Sequence, residues 1–228
     1  WRWARTSRSG RIGFWARTEE RWKTQIDEAG AKQTNITPGG NQRGKRRTHG
    51  MAEELILVNE RNRAIGRAEK WAVHREARLH RAFSIFLVDA AGRLLLQRRR
   101  RAKYHSGGLW ANSCCGHPRP GERTLAAARR RLDEELGARA RLRFGFRARY
   151  CTALPNGLTE NEIVHVYFGV APTALALNPA EVAAVSWMTL PQLKADIARR
   201  PARYAYWLRY YLKNHYGALR RDVAAVAT

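Results

Sequence analysis

The chain is short of cysteine, of acidic side chains and of long apolar runs, and each shortage closes off a class of protein. Three cysteines among 228 residues, Cys114, Cys115 and Cys151, form neither a disulfide framework nor a Cys-x-x-Cys metal pair. Adjacent cysteines such as Cys114 and Cys115 rarely bridge, because the geometry is strained. A reducing cytoplasm, with a thiol left free to react, is the expected setting. The apolar runs Ile85–Val88 and Leu94–Leu96 fall far short of the length that crosses a bilayer. No early stretch joins a basic start, an apolar middle and a small-residue cleavage site. A soluble protein with no transmembrane segment is therefore expected. Acidic residues number 19 against 43 Lys and Arg, a formal charge of +24. That excess favours a polyanionic partner, whether nucleic acid, an anionic membrane or a phosphorylated substrate. The arginines are nevertheless scattered through Ala- and Leu-rich segments, as in a chain from a GC-rich coding sequence, so charge alone does not choose.

Core material is ample. Eight Trp and eight Tyr, with abundant Leu, Val and Ala, exclude a disordered protein. The length suits one domain with a spare segment. That spare segment is residues 1–50, rich in Arg, Gly and Thr, without a periodic apolar pattern and ending in Arg43-Gly44-Lys45-Arg46-Arg47. A disordered basic extension, or a stretch upstream of the true start at Met51, is expected there. Glu19, Glu20, Asp27 and Glu28 weaken the alternative of an Arg-rich targeting segment.

From Met51 onward the pattern is regular. Leu55–Val58 reads as a strand, Asn59–Gly66 as a turn into a second strand, and Phe83–Asp89 with Arg93–Arg98 as a hairpin joined at Ala90-Ala91-Gly92. Thr124–Leu136 is the clearest helix, stopping at Gly137, where a helix end favours a residue tolerant of positive φ. Ile163–Val170 and Val182–Met188 read as strands, Pro191 opens a helix, and Arg203–Tyr216 reads as a C-terminal helix. Strands, one helix, more strands and then helices predict an α/β (α+β) chain, an α/β/α sandwich on a mixed β-sheet.

The segment from Gly116 to Ala138 carries a pattern fixed at many positions. Gly116 is followed after five residues by Glu122, then after seven by Arg130-Arg131-Leu132-Asp133-Glu134-Glu135-Leu136-Gly137. This resembles the Nudix box, departing from it at Arg131, where a Glu is expected, and at Ala138, a weak final apolar residue. Carboxylates four apart on a helix face one way and can share a divalent cation that holds a diphosphate. With Arg131 four residues before Glu135, one carboxylate of such a pair has become a cation, which favours phosphate binding over hydrolysis.

Three more segments resemble the type 1 isopentenyl-diphosphate isomerase branch of the Nudix superfamily. They are Lys70-Trp71-Ala72-Val73-His74 with Arg78-Leu79-His80-Arg81, the run Trp110-Ala111-Asn112-Ser113-Cys114-Cys115-Gly116-His117-Pro118, and Tyr150 ten residues before Glu160-Asn161-Glu162. The resemblance implies a Nudix-fold isomerase domain over residues 51–228. It also implies isopentenyl to dimethylallyl diphosphate interconversion in isoprenoid biosynthesis, by protonation and deprotonation through a carbocation-like intermediate. It assigns Cys115, Glu162, Tyr150 and Trp207 to catalysis, and Lys70, Arg99, Lys103 and Arg131 to the diphosphate. It gives His74, His80, His117, Glu160 and Glu162 to one divalent metal, Mn²⁺, Zn²⁺ or Mg²⁺, and Glu135 to a Mg²⁺ that accompanies the substrate. Ligand type selects no single metal. Glu160 and Glu162, two apart at a strand start, share one face as common ligation requires. Cys114, Trp187, His105, His165 and His215 have no such match and are expected to be structural. Nudix hydrolysis of a diphosphate is the alternative activity, weakened by Arg131. A specific nucleic-acid partner is not expected, since no recognition helix or RNA-binding motif accompanies the charge.

Overall fold

The computed structural model describes residues 53–227, and the extension expected over residues 1–50 lies outside them. Nine strands run in chain order: β1 Glu54–Val58, β2 Ala64–Glu69, β3 His80–Val88, β4 Leu94–Arg99, β5 Trp110–Asn112, β6 Cys114–Gly116, β7 Arg143–Ala153, β8 Thr159–Val170 and β9 Val182–Met188. Between and after them lie α1 Lys70–Arg75, α2 Thr124–Leu136, α3 Leu190–Arg199, α4 Tyr206–Asn214 and α5 Tyr216–Ala227. All nine strands join one mixed sheet. Its centre is β3, parallel to β8 and antiparallel to β1, β4 and β6.

A central strand covered on both faces needs a nearly unbroken apolar run, and β3 supplies one. Ala82, Phe86 and Val88 face a core built with Leu190, Leu193, Leu208, Tyr211 and Leu219 of the three C-terminal helices. The alternate residues Phe83, Ile85 and Leu87 face Ala127, Ala128, Leu132 and Leu136 of α2. The sheet is thus sandwiched between α2 and α3–α5, the expected α/β/α arrangement. Burying each large aliphatic side chain stabilises by about 1.5–3 kcal/mol. Helix α2 ends at Gly137, whose φ of 56° lies in the left-handed region. A Cβ there would also sit 2.6 Å from the Ala176 side chain, so the position demands glycine twice over.

The helix expected over Arg203–Tyr216 is broken. Tyr204 forms a parallel bridge to Trp110, and the Ala205 amide donates to the Trp110 carbonyl at 2.9 Å. That sheet contact holds Tyr204 extended, at φ −118° and ψ 139°. Helix α4 therefore starts only at Tyr206, with Trp207 in its first turn, and a second helix, α5, follows. Four further elements lie beyond the sequence reading: the short strands β5 and β6, strand β7 and helix α1. Strand β7 alternates outward Arg147 and Arg149 with inward Ala148 and Tyr150, and the six-residue α1 is capped by the Glu69 carboxylate, which accepts from the Trp71 and Ala72 amides.

Candidate active site

A cavity of about 780 Å³ is walled by residues drawn from Glu53 to Trp207, among them Lys70, Cys115, His117, Tyr150, Glu162 and Trp207. The two remaining histidines of the expected metal set, His74 and His80, are fully buried beside His117. His74 lies one helical turn after Lys70 on α1, and its Nδ1 donates to the Lys70 carbonyl at 2.7 Å. His80 opens β3, and its Nδ1 donates to the Arg78 carbonyl at 2.8 Å. A carbonyl only accepts, so each Nδ1 carries the proton and each Nε2 is left as a lone pair. Both Nε2 atoms are buried without a hydrogen-bond partner. Ligand atoms of His74, His80, His117 and Glu162 all lie within 4.8 Å of one another. Imidazoles whose second nitrogen is fixed by a carbonyl, with orphaned nitrogens converging on a carboxylate, could hold a divalent cation.

Burial lowers the His74 imidazole to about 4, and the neighbouring His117 adds to the effect, so its nitrogen stays available to a metal. Burial would raise Glu162, but the hydrogen bond from His117 at 3.0 Å holds it well below the usual carboxylate range. Glu160 goes the other way, raised by burial and by the charge of Glu162. Glu160 stands outside the four-residue group. One of its oxygens lies 3.4 Å from His105 Nε2, and the other has no partner.

Cys115, on β6, lies opposite Ser84 of β3 in the sheet register. Burial pushes its thiol up to about 12. The neighbouring Cys114 alternates to the other face, fully buried against α2. Tyr150 faces Glu162 across β7 and β8. Burial separates the four arginines at 98–101: Arg99, the last residue of β4, is 7% exposed and lines the cavity, whereas Arg98, Arg100 and Arg101 are exposed. The Arg99 guanidinium stands 5.3 Å from the Trp207 ring centroid. Lys70, Lys103 and Arg131 join it on the cavity wall. Burial, together with Arg99, Arg131 and Lys70, lowers Lys103 to about 8 against the raising effect of Glu135.

The NUDIX domain model matches residues 78–210. Isopentenyl-diphosphate Delta-isomerase 2 of Aromatoleum aromaticum is 47% identical over 158 residues, which span 69% of this chain and 84% of that protein. Isopentenyl-diphosphate Delta-isomerase of Burkholderia multivorans is 49% identical over 157 residues, 69% of this chain and 89% of the relative. The chain belongs to the isopentenyl-diphosphate Delta-isomerase family. Among solved structures, Deinococcus radiodurans DR0079 superposes with a TM-score of 0.59 at 26% identity, over 75% of this chain and 99% of that one.

Two further features shape the wall of this isomerase. Arg131 hydrogen-bonds both Glu135 and Glu134, and Glu135 also accepts from Gln97 Nε2 at 2.9 Å. Glu135 therefore sits among cations, away from the histidine group. His105 was expected to be merely structural and is instead a buried part of the cavity wall, 6.0 Å from the Trp207 centroid and against Glu160. Tyr104 beside it also lines the cavity, under the Lys70 ammonium at 4.5 Å. Their place two residues and one after Lys103 was the only hint in the sequence. His165, paired with Asn62 at 2.7 Å, and His215, stacked on Phe146, do not line the cavity.

Proposed function

We propose that this isomerase interconverts isopentenyl diphosphate and dimethylallyl diphosphate, and that residues 51–228 carry the whole activity. One observation supports this most: Cys115, Tyr150, Glu162 and Trp207 share a cavity wall with Lys70, Arg99, Lys103 and Arg131. Proton-handling groups and an aromatic face beside a cluster of cations are what a homoallylic diphosphate requires. Cations enclosed in a cavity also suit a small polyanion better than a nucleic-acid polymer.

The reaction adds a proton to the terminal alkene carbon and removes one from the carbon next to CH2–O. An unactivated alkene is a weak base, so the acid must be strong in context and well placed. Cys115 and Glu162 are the pair assigned here. Burial holds a proton on Cys115 Sγ, while the hydrogen bond from His117 keeps Glu162 ionised. One of the two gives a proton and the other takes one, and the reverse reaction exchanges their roles. Tyr150 polarises Glu162. The indole face of Trp207 steadies positive charge at the tertiary carbon by cation–π attraction without reacting with it.

His74, His80, His117, Glu160 and Glu162 are the residues we assign to a resident Mn²⁺, Zn²⁺ or Mg²⁺, and Glu135 to a Mg²⁺ carried with the diphosphate. Bound cations there would fix the carboxylates and neutralise phosphate oxygens. Hydrolysis is disfavoured because Arg131 occupies a position that would otherwise add metal-binding charge beside Glu135. Free thiols at Cys114, Cys115 and Cys151 fit a reducing compartment, and we propose the cytoplasm.

The test is a single incubation with isopentenyl diphosphate and Mg²⁺ in D2O, followed by proton NMR and by phosphate release. Deuterium should enter a methyl group of the dimethylallyl product while the diphosphate stays intact. Phosphate release without methyl deuteration would mean a hydrolase instead.

A further inference from the structure

Asn112 has no role in the scheme above, yet both the thiol and the indole hang on its side chain. It is the last residue of β5 and is fully buried. Its Nδ2 donates to the Ile85 carbonyl at 3.0 Å and to the Cys114 carbonyl at 3.2 Å. Those partners accept only, so the amide can sit one way round, with its oxygen turned away from them. That oxygen receives the Trp207 Nε1–H at 3.0 Å and the Cys115 Sγ–H at 3.2 Å. The amide therefore uses its two donors on backbone and its oxygen on two side chains of the cavity wall.

We propose that Asn112 is a positioning residue that sets the Cys115 thiol and the Trp207 ring relative to each other through one shared oxygen. This rests on the roles given to Cys115 and Trp207 under the proposed reaction. An indole donates only from its edge, so a bond at Nε1 fixes rotation of the ring while leaving its faces free to meet a cation. A thiol is a weak donor that would otherwise turn freely about its side-chain bond. The amide oxygen on one side and Ser84 Oγ at 3.4 Å on the other restrict Sγ. Ser84 is itself held by the Tyr211 hydroxyl at 3.0 Å. Because the amide is anchored to β3 and β6 backbone, the spacing between thiol and ring is inherited from the sheet.

The experiment uses the full, metal-loaded chain with ¹⁵N-labelled tryptophan, as wild type, Asn112→Ala and Asn112→Asp. The Trp207 indole resonance is recognised by its disappearance in Trp207→Phe. In Asn112→Ala that resonance should shift and exchange faster with solvent. kcat should fall on the order of 10²-fold, the cost of misplacing reacting groups by about 1 Å, with KM little changed because the cations are untouched. Asn112→Asp keeps an acceptor oxygen but turns its second oxygen onto the Ile85 and Cys114 carbonyls, so without the two backbone anchors the resonance should shift and kcat should fall as in Asn112→Ala. If the Ala chain does not fold, the Asp chain decides by the same two readouts. An unchanged kcat in either variant, or a loss of kcat with an unmoved Trp207 resonance, would overturn the proposal. A wild-type chain that does not isomerise at all would sink the reaction assignment instead, which separates the two failures.

Discussion

The Tyr150 hydroxyl donates to Glu162 Oε2 at 2.6 Å, and the two residues are register partners across β7 and β8. The other oxygen of Glu162 takes a hydrogen bond from His117 at 3.0 Å. The carboxylate is thus held between a phenol from the sheet and an imidazole of the histidine group. Tyr150→Phe removes the phenol bond without disturbing the ring packing against Tyr206 and Tyr210. A hydrogen bond to a charged group contributes about 1.5–3 kcal/mol, so kcat should drop roughly 10- to 100-fold. An unaltered kcat would show that Glu162 works without it.

The two adjacent cysteines should behave as opposites. Cys115→Ala and Glu162→Gln should each lower kcat by about 10²–10⁴, the usual cost of losing a positioned acid or base. Both should leave circular dichroism unchanged. Cys114→Ala, on the α2 face of the sheet, should keep its rate and lose only a little Tm. Steady-state kinetics on the three variants would expose a register error if the cysteines exchanged these outcomes.

Lys103 gives the reaction an alkaline limit. With its pKa lowered to about 8, chiefly by burial, Lys103 is charged below that pH and loses its charge as pH rises through it. kcat/KM, which reports the free enzyme, should be level on the acid side and fall above pH 8, mostly through KM for the diphosphate. Lys103→Arg should remove this fall, because a guanidinium keeps its proton. The same alkaline limb in the Arg variant would assign it to another group.

His105 should matter to metal retention. His105→Ala leaves the Glu160 carboxylate without its imidazole neighbour. Outer partners of metal ligands are worth about 10–100-fold in affinity, so competition with a chelator should show a loss in that range. His80→Ala and His117→Ala should lower bound metal outright by elemental analysis. Wild-type affinity in His105→Ala would leave that side chain a wall residue only.

A chain begun at Met51 should keep both kcat/KM and Tm. Among the described residues, those lining the cavity fall between Glu53 and Trp207, and residues 1–50 contain no periodic apolar face with which to join a core. Thermal denaturation and kinetics of the shortened chain check this, and a collapse of either would give the extension a part in the fold.

Signals that live in a few neighbouring residues were legible without coordinates. Thr124–Leu136 and Val182–Met188 have the expected bounds, because helical periodicity, a left-handed Gly137 and a β-branched apolar run are local facts. The spacings of Lys70 to His74 and of Glu160 to Glu162 fix which side chains share a face, whatever lies opposite. Cys115 and Cys114 point to opposite faces for the same reason. What no spacing could provide was partnership across the fold. The Trp110 carbonyl interrupts the last helix at Ala205, and only that break sets Trp207 beside Asn112. His105 joins the cavity because the backbone between Lys103 and Trp110 folds back against Glu160 on β8. Arg99 is singled out from its run by burial, which depends on what packs against β4. Residue types and intervals in the sequence determined the chemistry available to this protein. Which groups were desolvated, paired or left with a free lone pair was decided by contacts between segments distant in the chain, through burial and hydrogen-bond competition that exist only once the sheet has formed.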